Sequence, residues 1–139
     1  MKSVDKYCKL HLIDGIVHAE YAEDAYIEID IAKAIVEKRK KTAGFKPHPV
    51  LVKGGPISVS EEAKKYALTP QSSELIVAWA IVTDENLLKL LFYKLLFFTQ
   101  NSKHRLRFFK NENAAIEWLK NEFEDFKEKE LLSINKVHV

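Results

Sequence analysis

Apolar and polar residues alternate along Lys6–Ile13 and Ile16–Tyr21, and only Asp14-Gly15 separates the two runs. A two-residue period marks a strand, and Asp-Gly accepts the positive φ angles of a tight turn, so this segment predicts a β-hairpin. With a two-residue turn, Ile13 faces Ile16, His11 faces His18 and Lys9 faces Glu20. Leu12/Val17, Leu10/Ala19 and Cys8/Tyr21 then point to the opposite side, which makes one face dry and the other mostly wet.

Beyond Glu23-Asp24, Tyr26–Ile29 reads as a short extended piece. Asp30 is then placed to cap a helix that carries Ile31, Ala34, Ile35 and Lys38 at helical spacing and closes at Gly44. Pro47-His48-Pro49 forces extended backbone into the strand Val50-Leu51-Val52, which ends at Gly54-Gly55-Pro56. Ser58 or Ser60 caps a second helix to about Leu68, with Glu61 and Glu62 in its first turn and Pro70 beyond its end. Leu75–Val82 is wholly apolar and too short for a typical helix. It predicts a strand buried on both sides, with Ile76, Ala78, Ala80 and Val82 on one and Val77, Trp79 and Ile81 on the other. Thr83 or Asp84 opens an apolar helix to about Thr99, and Asn101–Lys103 form its exit loop. In the last strand, Arg105–Phe109, Leu106 and Phe108 point one way and Arg105 and Arg107 the other. A closing helix over about 111–129 sets Ala115, Trp118, Leu119 and Phe123 on one stripe.

The order β-β-α-β-α-β-α-β-α predicts an α/β domain with a five-stranded, largely parallel sheet, made mixed by the opening hairpin. Right-handed crossovers that step in one direction put the helices mainly on one face and leave the other open. One domain fills residues 1–139, with its core over about 6–129 and a C-terminal tail at 130–139.

Five stretches within residues 10–123 carry a family resemblance: Leu12-Ile-Asp-Gly-Ile-Val-His-Ala-Glu, the helix leading into Pro49-Val-Leu-Val-Lys-Gly, Ser60-Glu-Glu-Ala, Ala78-Trp-Ala-Ile-Val, and Phe109-Lys-Asn-Glu-Asn-Ala-Ala-Ile-Glu-Trp-Leu. They resemble the SpoIIAA-like family of STAS-type domains, in particular its small stand-alone Bacteroidetes-type bacterial members. The resemblance implies the SpoIIAA-like fold. In the sporulation anti-sigma-factor antagonists of that family, a partner kinase phosphorylates a serine at the start of the helix after the third strand, and this switches binding. The resemblance puts that position near Ser58 and Ser60, where Gly54-Gly-Pro-Ile-Ser-Val-Ser-Glu61 replaces the usual Asp-Ser-Ser-Gly. Glu61 and Glu62 would repel a phosphate on Ser60, so helix capping is the plainer role for these serines.

A composition of 47% apolar and 30% charged residues with a net charge of +2 excludes a disordered chain and gives no argument for a polyanionic or membrane-surface partner. Cys8 has no second cysteine to pair with, which points to a reducing cytoplasm. Leu87–Phe98 is interrupted by Lys89 and Lys94 and falls short of the roughly 20 residues of a membrane span.

Candidate chemistry is sparse. His11 and His18 would offer a metal two ligands where three or four are needed, and Cys8 has no neighbouring base, so no metal, cofactor or catalytic residue is assigned. Glu23, Asp24 and Asp84 sit at element ends, but nothing in the sequence brings them together, which leaves an enzyme as the least supported class. Lys38-Arg39-Lys40-Lys41 with Lys46, and Lys103-His104-Arg105 with Arg107 and Lys110, read as solvated charge and not as a nucleic-acid site. More telling is the apolar excess of Leu87–Phe98, which wraps most of a helix and needs a cover. The expectation is a non-enzymatic regulatory or binding domain that acts through protein contacts and self-associates as a homodimer. Leu88, Leu91, Phe92 and Leu95, with Ile76, Ala78 and Ala80 on the open sheet face, are the candidate contacts. The alternative is a carrier of a small apolar ligand or lipid, with its pocket between the 85–99 helix and the sheet.

Overall fold

Asp14 and Gly15 both take positive φ, 51° and 81°, the primed turn that matches strand twist. They join β1 (Cys8–Ile13) to β2 (Ile16–Tyr21) in the expected register, with His11 opposite His18 and Cys8 opposite Tyr21. The computed structural model describes residues 3–83 and 105–137. Its further elements are β3 (Ala25–Ile27), α1 (Ile29–Thr42), β4 (His48–Gly54), β5 (Ile57–Val59), α2 (Glu61–Ala67), β6 (Ile76–Val82), β7 (Arg105–Phe109) and α3 (Glu112–Val137). The helix expected from Thr83 or Asp84 to Thr99, with Leu88, Leu91, Phe92 and Leu95 on it, and the loop Asn101–Lys103 lie outside the described residues.

The main sheet has the order β1-β2-β4-β6-β7, antiparallel at the hairpin and parallel elsewhere, so it is the mixed five-stranded sheet expected. The short piece before α1 is β3, which pairs in parallel with β5 in a small second sheet that the sequence pattern does not announce. α1 starts at Ile29 with Glu28 at its N-cap, so Asp30 lies in the first turn and not at the cap. Of the two serines, Ser60 is the cap: its hydroxyl oxygen accepts from the Ala63 amide at 3.1 Å, while Ser58 sits exposed in β5.

β6 carries a bulge that changes which residues share a side. His48 pairs with Ile76 but Val50 pairs with Trp79, so β6 has one more residue than β4 across that interval. Ile76 therefore packs with Leu10, Val17 and Val50, whereas Val77 joins Ala78 and Ala80 on the opposite side. This corrects the strict alternation expected for the strand.

The sheet is not open on one side. Ile31 and Ile35 of α1 pack on the face made by Cys8, Leu10, Val17, Ala19 and Val50. On the other face, Ala115 and Leu119 of α3 close over Ile16, Leu51, Ala78 and Ala80. The handedness rule governs crossovers between parallel strands, and α3 follows the last strand, so nothing obliges it to join α1 and α2. Asn111 turns the chain under the sheet by capping α3, its Oδ1 accepting from the amides of Asn113 and Ala114 at 2.8 and 3.2 Å. Three alanines at the contact allow close approach, and Lys53–Glu112 at 2.9 Å and Arg105–Glu122 at 3.0 Å tie β4 and β7 to the helix. Ala78 and Ala80 are consequently buried within the domain, as is Ile76 on the α1 side, and none of the three can serve as an exposed contact.

α3 also outruns its expected end near Lys129 and continues as helix to Val137, in place of the expected tail. Phe123 lies against Gly15 of the hairpin turn, and further along the helix Leu131, Leu132 and Ile134 are exposed.

Candidate functional site

Val50 and Val52 of β4, Trp79 and Ile81 of β6, and Leu106 of β7 project to the α1 side of the sheet, and among the described residues α1 and α2 stand over only part of them. The result is a cleft of about 380 Å³, within the roughly 300–1,000 Å³ range of small-molecule sites. Its walls are Ala32, Ile35 and Val36 of α1, Ala63 and Tyr66 of α2, and Pro56, Ile57 and Val59 at the β4–β5 connection. Leu10, Ala19 and Tyr21 from the hairpin join them, and among the described residues the lining is mostly apolar.

One charged side chain in that lining stands apart. Arg39, on the last turns of α1, is only 4% exposed. Its Nη1 lies 2.9 Å from His48 Nε2 and donates to the Glu74 carbonyl at 2.9 Å, and its Nη2 donates to the Ser72 carbonyl at 3.2 Å. Burial lowers its pKa to about 10, which still leaves the guanidinium protonated at neutral pH. Helical spacing explains the position: Ile31, Ile35 and Arg39 follow one another at intervals of four, on one stripe.

His48, 2% exposed, is held from both sides. Its Nδ1 lies 2.7 Å from the Lys46 carbonyl, which only accepts, so Nδ1 carries the proton and Nε2 is the acceptor for Arg39. Burial, and then the Arg39 charge, hold its pKa below the usual histidine value against the opposing pull of the Lys46 carbonyl. His18 shifts the same way through burial and Lys53. In both cases the unfolded chain takes up a proton at a higher pH than the folded one. The stability these histidines contribute is complete above the unfolded value of about 6.5 and is lost as pH falls from there through their lower folded values. The midpoint of urea unfolding should therefore drop between pH 7.5 and 5.5, and His48→Gln, which keeps an acceptor for Arg39, should flatten that slope; an unchanged slope would contradict the assignment.

The other anticipated groups are placed plainly. His11 is exposed, but His18 is 8% exposed under α3, not solvent-facing as expected. Among the described residues no three of His, Cys, Asp and Glu are grouped to hold a metal ion. Cys8 is 1% exposed, and burial pushes its thiol up to about 12, so the thiolate does not form near neutrality. In the first basic cluster, Lys38 pairs with Asp5, Lys40 with Glu37 and Glu74, and Arg39 is buried. In the second, Arg105 pairs with Glu122 and Arg107 lies over the Phe109 ring, while Lys103 and His104, like the carboxylate Asp84, lie outside the described residues. Glu23 and Asp24 are not among the residues that line the cleft, although the Asp24 amide donates to the carbonyl of Pro56, which does. Among the described residues no helix is long and apolar enough to cross a membrane.

The fold has a solved counterpart. An uncharacterized protein of the DUF3478 family from Shewanella loihica PV-4, whose crystal structure has a SpoIIAA-like fold, superposes with a TM-score of 0.53. The match covers 81% of this chain and 91% of that one at 14% sequence identity, which establishes a SpoIIAA-like fold and carries no function with it. No curated protein matches the sequence. A family model described as a domain of unknown function, DUF7793, matches residues 10–122, and the chain belongs to that family.

Proposed function

We propose that this domain is a non-enzymatic binding module that holds a small apolar molecule in the cleft between α1, α2 and the sheet. The observation that carries the reading is the cleft itself: among the described residues, apolar side chains from the sheet and two helices leave space of ligand size where a closed core would leave none. The helix over 85–99 anticipated as one wall of a pocket lies outside the described residues, and the walls named here are those of α1 and α2. The reading is tested by titrating the purified protein with the neutral fluorophore N-phenyl-1-naphthylamine and by native mass spectrometry of the protein as isolated. Saturable binding is expected, weakened about ten-fold or more by Val52→Trp, which fills the floor of the cleft while keeping a residue suited to a strand. Absence of both saturable binding and retained ligand would overturn it.

A second reading is supported by the far end of α3, where Leu131 and Leu132 are each 61% exposed and Ile134 is 53% exposed. Apolar surface of this kind favours a protein contact, in the simplest case a homodimer. A mass that stays monomeric in light scattering across concentration would remove it. Either role suits the cytoplasm, where a single buried thiol meets no demand for pairing.

A further inference from the structure

We infer that the molecule in the cleft carries an anionic head group, a carboxylate on one apolar chain, seated against Arg39; the inference rests on reading the cleft as a ligand site. Arg39 lines the cleft, and its three hydrogen bonds all go to neutral acceptors: the His48 ring and the carbonyls of Glu74 and Ser72. They use three of the five guanidinium N–H groups, and among the described residues no acceptor is seated on the other two. The Glu74 and Glu37 carboxylates act on Arg39 through charge at a distance, but both pair with Lys40, and Glu74 bonds the guanidinium only through its main-chain oxygen.

A cation held out of water with no carboxylate bonded to it is unfavourable, and apolar walls strengthen its attraction for one. The planar fork of arginine fits a carboxylate better than it fits a single carbonyl. Lys53, the other cation in the lining among the described residues, is already paired with Glu112. The charge in the cleft therefore has one end. Arg39 lies beside His48 and Glu74, where β4 and β6 begin, and the apolar lining continues past Val52 to Pro56 and Ile57, where β4 ends. A single chain running along β4 with its head at Arg39 fits this arrangement, and the cleft volume is at the lower end for a ligand site, too small for a two-chain lipid.

The test is a ladder of ligands with one chain length and three heads: dodecanoate, dodecan-1-ol and dodecylamine, each displacing N-phenyl-1-naphthylamine from the full chain below its micellar concentration. Dodecanoate is expected to bind about ten-fold or more tightly than the alcohol, with the ammonium compound weakest. Arg39→Gln should bring acid and alcohol to within about two-fold of each other. Should that variant fail to fold, the ladder on the parent protein decides alone. Equal affinity for acid and alcohol, or a preference for the amine, overturns the anionic head and leaves the apolar site standing. Failure of all three to displace a bound probe, or of the probe to bind at all, counts against the site itself.

Discussion

Gly54→Ala is expected to cost roughly 3 kcal/mol of stability, a fall in Tm on the order of 10 °C, from the addition of one methyl group. Gly54 ends β4 at a φ of 89°, and a Cβ there would stand 2.3 Å from the Tyr21 carbonyl oxygen and 2.9 Å from the Tyr21 nitrogen. Both atoms are backbone of the adjoining strand, so no rotamer change can make room. Moving the strands apart would also strain the bond from the Gly55 amide to the Tyr21 carbonyl at 3.1 Å, which pins the corner of the cleft. Gly44→Ala separates crowding from backbone strain. Gly44 has a φ of 65°, but a methyl group on it would meet nothing within 4 Å, so its cost should stay near the roughly 1–2 kcal/mol of a left-handed residue, about half the larger effect. Parallel urea melts of the two variants measure the difference, and equal losses would show that the close approach of β4 to β2 is absent.

What was legible in the sequence follows from how local each signal is. The hairpin could be read to the residue because turn chemistry and strand alternation sit within the same fourteen-residue window, residues 8–21. The order of strands around α1 and α2 was equally plain, since each helix has a cap or a stop. β5 was not: three residues cannot show a period, and its pairing with β3 joins segments about thirty residues apart in sequence. The bulge in β6 was hidden because an all-apolar run carries no alternation to break. α3 went to the unexpected face because crossover handedness says nothing about an element that makes no crossover.

The candidate site was less legible than the fold, and Arg39 shows why. Its spacing from Ile31 and Ile35 was in the sequence, but in the run Lys38-Arg39-Lys40-Lys41 charge suggests solvent more strongly than periodicity suggests burial. His48, between two prolines, reads as connector, and only the fold brings it to the guanidinium across nine positions. The cleft floor gathers Val52, Trp79, Ile81 and Leu106 from three strands, a grouping that no single window of sequence contains.

Arg39→Met is expected to destabilise the domain by about 3 kcal/mol, and the sign turns on two opposed effects. Methionine fills similar space and removes a desolvated cation, which by itself favours the variant. It also leaves the Ser72 and Glu74 carbonyls and His48 Nε2 without their donor, at about 1–3 kcal/mol for each acceptor that water cannot reach. The bonds to His48 and Ser72 are buried and the one to Glu74 only partly so, which places the balance on the destabilising side. A cycle with His48→Leu isolates the pair: once the histidine is gone, Arg39→Met should cost about 1–2 kcal/mol less than it does in the parent, as read by urea unfolding. Additive losses would mean that the ring and the guanidinium touch without supporting each other. An Arg39→Met protein as stable as its parent would mean that the fold gains nothing from the buried charge, and the cleft's ligand would then be the remaining reason for a cation at that wall.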